Sequence, residues 1–405
     1  MSLRRRVKVL KWKMKRRLDY YEARITDLLY GRVRATGRLW ILSTFLAGFE
    51  WLFRGVVKLR LKLYEARVMK QEYLGCLVVV IGNITVGGTG KTPIVEKFAR
   101  ELLARGRKVA ILSRGYKRKE VGWLRKIFSL IDPSISKPIV VSDGTGKVLT
   151  DWKRAGDEPY MLAHNLPGAV VIVDKNRVKA GAYAIRKFGA DTLLLDDGFQ
   201  YLPLKSRLQL VLIDQTNPFG NGAMLPRGIL REPVSALRRS SYVFITKSDG
   251  SPTKELLSQI KKYAPNTAPI VCAHVPKMLV SLDGTQTVPL EALKNAKVMA
   301  FSGIAVPESF EMLLTKAGAD IVKSMRYADH YDYEAEVIEQ IVKSAQMSGA
   351  QMIVTTEKDA VRLPAMETTL PKYYLRMEVE ILSGSKNFHE AVESICFHPE
   401  ETGEK

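Results

Sequence analysis

The chain has 405 residues, 46% hydrophobic and 26% charged, enough for a sizeable core and more than one structural unit. Its net charge of +21 is concentrated in an N-terminal arm, because residues 1–70 hold 19 Lys or Arg against 5 Asp or Glu, a net of +14. Three scattered cysteines (Cys76, Cys272, Cys396) and five histidines, with neither CxxC nor HExxH, speak against a disulfide framework, a zinc ribbon and a transition-metal site, and fit a reducing cytoplasm.

The arm opens on a basic run from Met1 to Arg17. Leu39 to Phe53 is then apolar apart from Ser43, Thr44 and Glu50, with Arg32, Arg34 and Arg38 before it and Arg54, Lys58, Arg60 and Lys62 after. As a helix this stretch reaches roughly 22 Å, short of the ~30 Å hydrocarbon core. The pattern predicts an amphipathic or re-entrant segment pressed onto anionic lipid by its cationic flanks. A short true span and a helix packed on the core with solvated Lys and Arg are the alternatives. No small-residue cleavage site follows, so a cleavable signal peptide is not expected. A nucleic-acid arm would leave the apolar stretch without a purpose.

From Leu77 short apolar runs alternate with helical patterns: 77–81, 109–113, 138–141, 169–173, 191–197, 208–214 and 242–247, with helices at 92–105, 156–164 and 178–188. Continuous Val/Ile/Leu strands separated by helices predict a parallel sheet covered on both faces. After Asp249 the pattern restarts, with a helix near 253–263, strands at 268–274, 297–301, 352–356 and 379–382, and a helix near 332–348. The expected organisation is an arm over 1–70, a core over 71–250, a smaller α/β domain over 251–398 and a frayed tail over 399–405.

The segment 81–106 runs from a buried strand through a Gly-rich turn into GKT and an amphipathic helix. Backbone N–H groups of Thr85, Val86, Gly87, Gly88, Thr89 and Gly90 can curl around phosphate oxygens there, and the helix N-terminus adds positive potential. Lys91 suits the β- and γ-phosphates of ATP and the Thr92 hydroxyl suits Mg²⁺. Thr85 stands where the usual pattern begins with Gly.

Four further clusters end predicted strands or flank helices, where open α/β sheets bind ligands. They are SRGYKR (113–118), AGDEP (155–159), LLLDDGFQ (193–200) and YADHYDY (327–333). Asp157 and Glu158 also suit a helix dipole. Asp196 and Asp197, two adjacent acids after LLL, favour a metal. His330 lies between Asp329 and Asp332 and, taken alone, reads as structural as readily as catalytic. His164, His274, His389 and His398 have no such acidic company. TKSD (246–249) is close to a guanine-reading NKxD, with Thr in place of Asn.

In order, GNITVGGTGKTP (82–93), LSRGYKRK (112–119), GDEP (156–159), LDDGFQ (195–200), PFGNGAMLPRGILREP (218–233), DHY (329–331) and TTEKDAVRL (355–363) resemble the motifs of tetraacyldisaccharide 4′-kinases of Gram-negative bacteria. The likeness spans about 75–365, and the Thr at position 85 belongs to it. It implies a P-loop kinase-like, doubly wound α/β core with a smaller second α/β domain and an N-terminal membrane-associated helix. It also implies ATP–Mg²⁺-dependent phosphorylation of a tetraacyl glucosamine disaccharide 1-phosphate at the cytoplasmic face of the inner membrane, by a peripheral or monotopic enzyme. By motif position Asp157 would be the base, assisted by His330, and Lys91 would handle phosphate. Thr92, Asp196, Asp197 and Glu232 would order the metal or its waters. Arg114, Tyr116, Glu158 and Gln200 would meet the lipid substrate, and Arg177 its phosphate.

Three departures stand out. Tyr201 and Tyr331 replace histidines common in the family, and 120–137 looks like an insertion with apolar side chains suited to lipid. The partners implied are the glycolipid and anionic inner-membrane lipids, with no nucleic acid, and no protein partner is inferable. The main competitor is a deviant-Walker partitioning ATPase, whose signature Lys falls where this chain has Val86.

Overall fold

The structure, a computed structural model, describes residues 21, 24–115, 137–267 and 269–396. The basic run 1–17, Tyr116, residues 120–136 of the insertion and the tail 399–405 lie outside them.

The first half of the chain supplies β1 (Leu77–Asn83), β2 (Val109–Ser113), β3 (Ile139–Asp143), β4 (Val170–Val173), β5 (Thr192–Asp196), β6 (Leu208–Asp214) and β7 (Tyr242–Thr246). Between them run helices α2 (Lys91–Ala104), α3 (Asp157–Asn165) and α4 (Arg177–Phe188), and α1 (Arg38–Glu65) precedes them all. β1 is buried over its whole length and lies between β5 and β6, parallel to both. Its alternate residues serve two cores, as the pleat dictates. Val79 and Ile81 pack with Phe98 of α2 and Leu162 of α3, whereas Val78 and Val80 pack with Ala180 and Ala184 of α4.

The second half supplies α5 (Lys254–Tyr263), β8 (Ile270–Ser281), β9 (Thr287–Pro289), β10 (Lys297–Ser302), α6 (Pro307–Lys316), β11 (Asp320–Arg326), α7 (Ala335–Met347), β12 (Met352–Thr356), α8 (Glu357–Ala360), β13 (Lys372–Ser383) and α9 (Ser385–Cys396). Among the described residues the strands form one 13-stranded sheet in the order β11-β10-β12-β13-β8-β7-β6-β1-β5-β2-β4-β3, with β9 on β8. The two halves therefore share a sheet instead of carrying one each. β8 pairs parallel with β7 at its start, then antiparallel with β13 along most of its length. The outer strands have cores of their own, with Phe310 and Leu314 of α6 on one face and Ile338 and Ile341 of α7 on the other.

Two elements cross the boundary expected at 250. Leu256 and Ile260 of α5 pack in the P-loop core, and α9 returns there, its Phe388 ring 5.9 Å from Phe98 and 6.4 Å from Phe244.

The apolar stretch of the arm is also longer than its composition suggested. α1 runs for 28 residues, about 42 Å, because the basic segment after Phe53 keeps a helical apolar period. It is a helix long and apolar enough to cross a membrane by length and composition. Ile41, Phe45, Phe49, Leu52, Val56 and Leu59 are each at least half exposed. At about 100° per residue they share one stripe roughly 80° wide. Glu50 is buried on the opposite side, and Phe53 and Val57 pack against the body of the protein.

Candidate active site

The C-terminal ends of β1, β2 and β5 open into one cleft of about 1130 Å³, also bordered by α1, by α6 and by the DHY and TTEKDAVRL segments. β1 leads into the phosphate cradle. Thr85 is extended and bridges Leu230, Val86 N–H donates to Ile229 O at 2.7 Å, and Arg231 N–H donates to Ile84 O at 2.7 Å. The first part of the loop is thus a strand stitched to the LPRGILREP segment, so β-branched Thr fits where other P-loops need glycine. The positive φ angles come later, at Gly87 and Gly90. A Cβ on Gly90 would lie 2.0 Å from the His274 ring, so only glycine lets the chain turn there.

Lys91 begins α2. Its ammonium donates to Asn83 Oδ1 at 3.3 Å and stands 3.6 Å from Asp197 Oδ1. Thr92 is buried beside it, and the Thr89 hydroxyl is buried without a hydrogen-bond partner.

Asp196 and Asp197 are neighbours with opposite electrostatics. Asp196 ends β5 facing inward. Its Oδ2 accepts from Ser113 Oγ at 3.3 Å and its Oδ1 has no partner. Burial, then the charges of Glu158 and Asp197, push its pKa up to about 7. Asp197 has a left-handed φ of 54°, which swings its carboxylate to Arg231, 2.9 Å from each oxygen. Burial works against its charge, but Lys91 and Arg231 outweigh burial and hold its pKa below the usual value. The donors present suit Mg²⁺. Thr92, Asp196 and Asp197 offer hard oxygens, and the partnerless Asp196 Oδ1 is what a cation would satisfy. Among the described residues no group of three or more His, Cys, Asp or Glu forms a metal cage.

Across the cleft, Asp157 at the start of α3 meets His330. The His330 Nδ1 to Asp157 Oδ2 distance is 2.7 Å, although 173 residues separate them. Arg362 Nε donates to the same Oδ2 at 2.9 Å. His330 lines the cleft, and Asp157 stands behind it with its side chain 11% exposed. Burial opposes the Asp157 charge, but the His330 hydrogen bond and Arg362 bring its pKa below the usual value.

His330 itself has φ 63°, rare for a residue with a Cβ, and its backbone N–H is fixed on Gly303 O at 3.1 Å. Its support comes from TTEKDAVRL. Buried Asp359 accepts from Gly303 N–H (3.0 Å), Thr356 Oγ1 (2.6 Å) and Tyr333 Oη (3.0 Å), and the wholly buried Arg362 side chain reaches Asp359 Oδ1 at 3.4 Å.

The remaining expected residues divide. Arg114, Glu158 and Gln200 line the cleft. Glu158 lies 3.4 Å from Lys358 Nζ, and Gln200 Nε2 donates to Asn83 O at 3.0 Å. Glu232, expected near the metal, borders the cleft, and its Oε2 accepts from Arg239 Nη2 at 2.6 Å. Arg177, expected to meet a lipid phosphate, is buried with its guanidinium 4.9 Å from the Tyr201 ring, so Tyr201 packs where the family pattern has His. Arg231, Arg362 and Asp359 were not singled out from the sequence, although all three lie inside the quoted motifs.

A glycine-rich cradle at a strand end, an acid pair beside it of which Asp196 is buried and Asp197 half-buried, and an Asp–His pair facing both define a P-loop phosphotransferase. Residues 42–396 match the family described as tetraacyldisaccharide-1-P 4′-kinase, LpxK, and the chain belongs to that family. A tetraacyldisaccharide 4′-kinase from Anaeromyxobacter sp. is 37% identical over 375 residues, 91% of this chain and 96% of that protein. One from Syntrophus aciditrophicus is 37% identical over 82% of this chain and 88% of its own length. A crystal structure of LpxK from Aquifex aeolicus in complex with ATP superposes with a TM-score of 0.72 at 29% identity, covering 88% of this chain and all of that one. These likenesses support the kinase reading over a partitioning ATPase.

Proposed function

We propose that the chain transfers the γ-phosphoryl group of ATP to the 4′-hydroxyl of a tetraacylated glucosamine disaccharide 1-phosphate, at the cytoplasmic surface of the inner membrane. The observation that carries this is the Asp157–His330 pair facing the Lys91 cradle across one cleft. A sugar hydroxyl must lose its proton as it attacks. The roles expected from the motif are exchanged in this reading: His330, not Asp157, stands at the cleft wall to take that proton, backed by the Asp157 carboxylate that the His330 hydrogen bond and Arg362 keep charged. Lys91 and the loop amides would hold the phosphates and neutralise charge on the transferring group. Thr92, Asp196 and Asp197 would hold Mg²⁺, which when bound supplies further charge neutralisation at the phosphates.

The membrane reading rests on α1. One face is covered by the protein and the opposite face is an exposed apolar stripe, which suits a helix lying in the interface better than one surrounded by lipid. Phe53, Val56, Val57 and Leu61 of that helix border the same cleft as the cradle, so the acyl chains of a glycolipid have an apolar path toward the bilayer. Arg114, Glu158 and Gln200 would contact the sugar.

Incubating the purified protein with γ-labelled ATP and the disaccharide lipid in detergent tests the reading. Label should appear in the lipid, and release of label only as inorganic phosphate would reduce the protein to an ATPase.

A further inference from the structure

A second cavity, of about 500 Å³, lies apart from the catalytic groups, between α1, residues 28–35 and the glycine-rich turn 220–223. Three guanidinium side chains, Arg34, Arg54 and Arg227, line it, with Glu50 as the lone carboxylate. Both Glu50 oxygens are already used. Oε1 accepts from Arg54 at 2.7 Å and from Met224 N–H at 3.1 Å, and Oε2 accepts from Arg227 at 3.2 Å. Glu50 is buried and so acts as a post that fixes two arginines and leaves a surplus of two positive charges on the wall. Arg34 has no ion pair among the described residues. Ser43 and Asn221 add neutral polar groups to the lining.

The position of the cavity says what kind of anion it suits. Ser43, Glu50 and Arg54 fall on one face of α1, roughly opposite the exposed stripe of Ile41, Phe45 and Leu52 at about 100° per residue. If the stripe rests in the acyl region, the cavity opens at headgroup depth. Along α1 it occupies residues 43–54, and the catalytic cleft occupies 53–61, so their centres are about 13 Å apart on the helix axis. That spacing is of the order of a disaccharide's length.

We propose that this cavity is a phosphate-binding pocket for an amphiphile, in which Arg34, Arg54 and Arg227 hold a phosphate presented at the membrane surface. Arginine forks match phosphate oxygens in two-point contacts, which a diffuse cationic flank does not supply. The phosphate has two available sources, the headgroup of an anionic phospholipid or the 1-phosphate at the far end of the substrate. The inference rests on the membrane-surface reading, and the test separates the two.

The variants are Arg34→Gln, Arg227→Gln and their double, with Lys58→Gln as an exposed charge loss on the same helix outside the cavity. Arg34 has no ion pair to lose, so its variant should fold, and Arg227→Lys restores charge if Arg227→Gln is unstable. Sedimentation with vesicles of phosphatidylcholine, with and without phosphatidylglycerol, reads the headgroup arm. The KM for the lipid acceptor in neutral detergent, compared with that of an acceptor lacking the 1-phosphate, reads the substrate arm.

For a headgroup site the double variant should lose about 10-fold of the phosphatidylglycerol-dependent binding while still sedimenting with phosphatidylcholine. For a substrate site it should raise the KM about 10-fold for the phosphorylated acceptor only. No change in either arm, or an equal change from Lys58→Gln, overturns the pocket. Failure of the wild-type protein to bind any vesicle overturns the membrane reading instead and leaves the KM arm to decide the pocket.

Discussion

On the P-loop wall of the cleft, Asp196 Oδ1 and Thr89 Oγ1 are buried without hydrogen-bond partners, whereas on the facing wall both oxygens of buried Asp359 are engaged and Asp157 Oδ2 is shared by His330 and Arg362. The first wall carries polar groups that only a ligand completes, and it bears their desolvation cost until then. On the second, the buried carboxylates are engaged by its own side chains, with Arg362 Nη2 the atom left without a partner, and they fix the base before any substrate arrives. Binding and preorganisation are thus assigned to different walls, and substitutions on each should fail differently.

The largest effect is expected on the P-loop wall. Lys91→Ala should lower kcat about 1000-fold with little change in thermal stability, because the ammonium has only Asn83 and Asp197 to lose. Wild-type turnover, measured by label transfer at ordinary Mg²⁺, would remove the cradle from the mechanism. On the facing wall, Asp157→Ala and His330→Ala should each cost about 100-fold or more in kcat, with the KM for ATP little changed. Groups that act as a unit are non-additive, so the double variant should be hardly worse than the poorer single one. Multiplicative losses would break the pair into independent residues.

Arg362 tests whether the facing wall is held by its own charges. Arg362→Met leaves Asp359 without its guanidinium and should destabilise the protein by about 3 kcal/mol, read by urea unfolding. It should also lower kcat about 10-fold, with Arg362→Lys recovering part of it. Arg362 helps to keep the Asp157 pKa low, so its loss should move the acid limb of the kcat/KM profile to higher pH. An unmoved limb would make Arg362 a structural residue only.

Much of the P-loop wall was legible because it is local: strand, glycines, Lys91 and Thr92 are contiguous, and the continuous apolar run of β5 announced Asp196. The facing wall is assembled from Asp157, His330, Asp359 and Arg362, whose proximity no local pattern encodes, and only motif resemblance joined the first two. Asp359 and Arg362 lie inside a quoted motif, but nothing local in TTEKDAVRL marks them as buried. β11 was missed because it is an edge strand whose exposed Lys323 and Arg326 interrupt the apolar signal, and α9 because nothing in 385–396 tells which half it will cover. Glu232 and Arg177, which the resemblance implied as metal and phosphate residues, have partners inside the protein that no local pattern announces, the Arg239 guanidinium and the Tyr201 ring.

The smallest effect expected is also the one that most directly separates the walls. Asp196 is held protonated up to about pH 7 by burial first and by Glu158 and Asp197 after it, against an ordinary value of 3.8. A carboxyl whose folded pKa is raised contributes full stability below its unfolded pKa and loses it as pH rises through the folded one. In EDTA, therefore, the melting temperature of the wild-type protein should carry a decline between about pH 4 and pH 7 that Asp196→Asn lacks. At about pH 8 the Asn variant should melt roughly 3–8 °C above wild type while transferring no phosphate, and the gap should shrink as pH is lowered toward 4. Mg²⁺ with ATP should close the gap from the other side, by stabilising the wild-type protein alone. Parallel pH slopes in the two proteins would mean that the P-loop wall carries no unmet charge, and the contrast between the walls would fail.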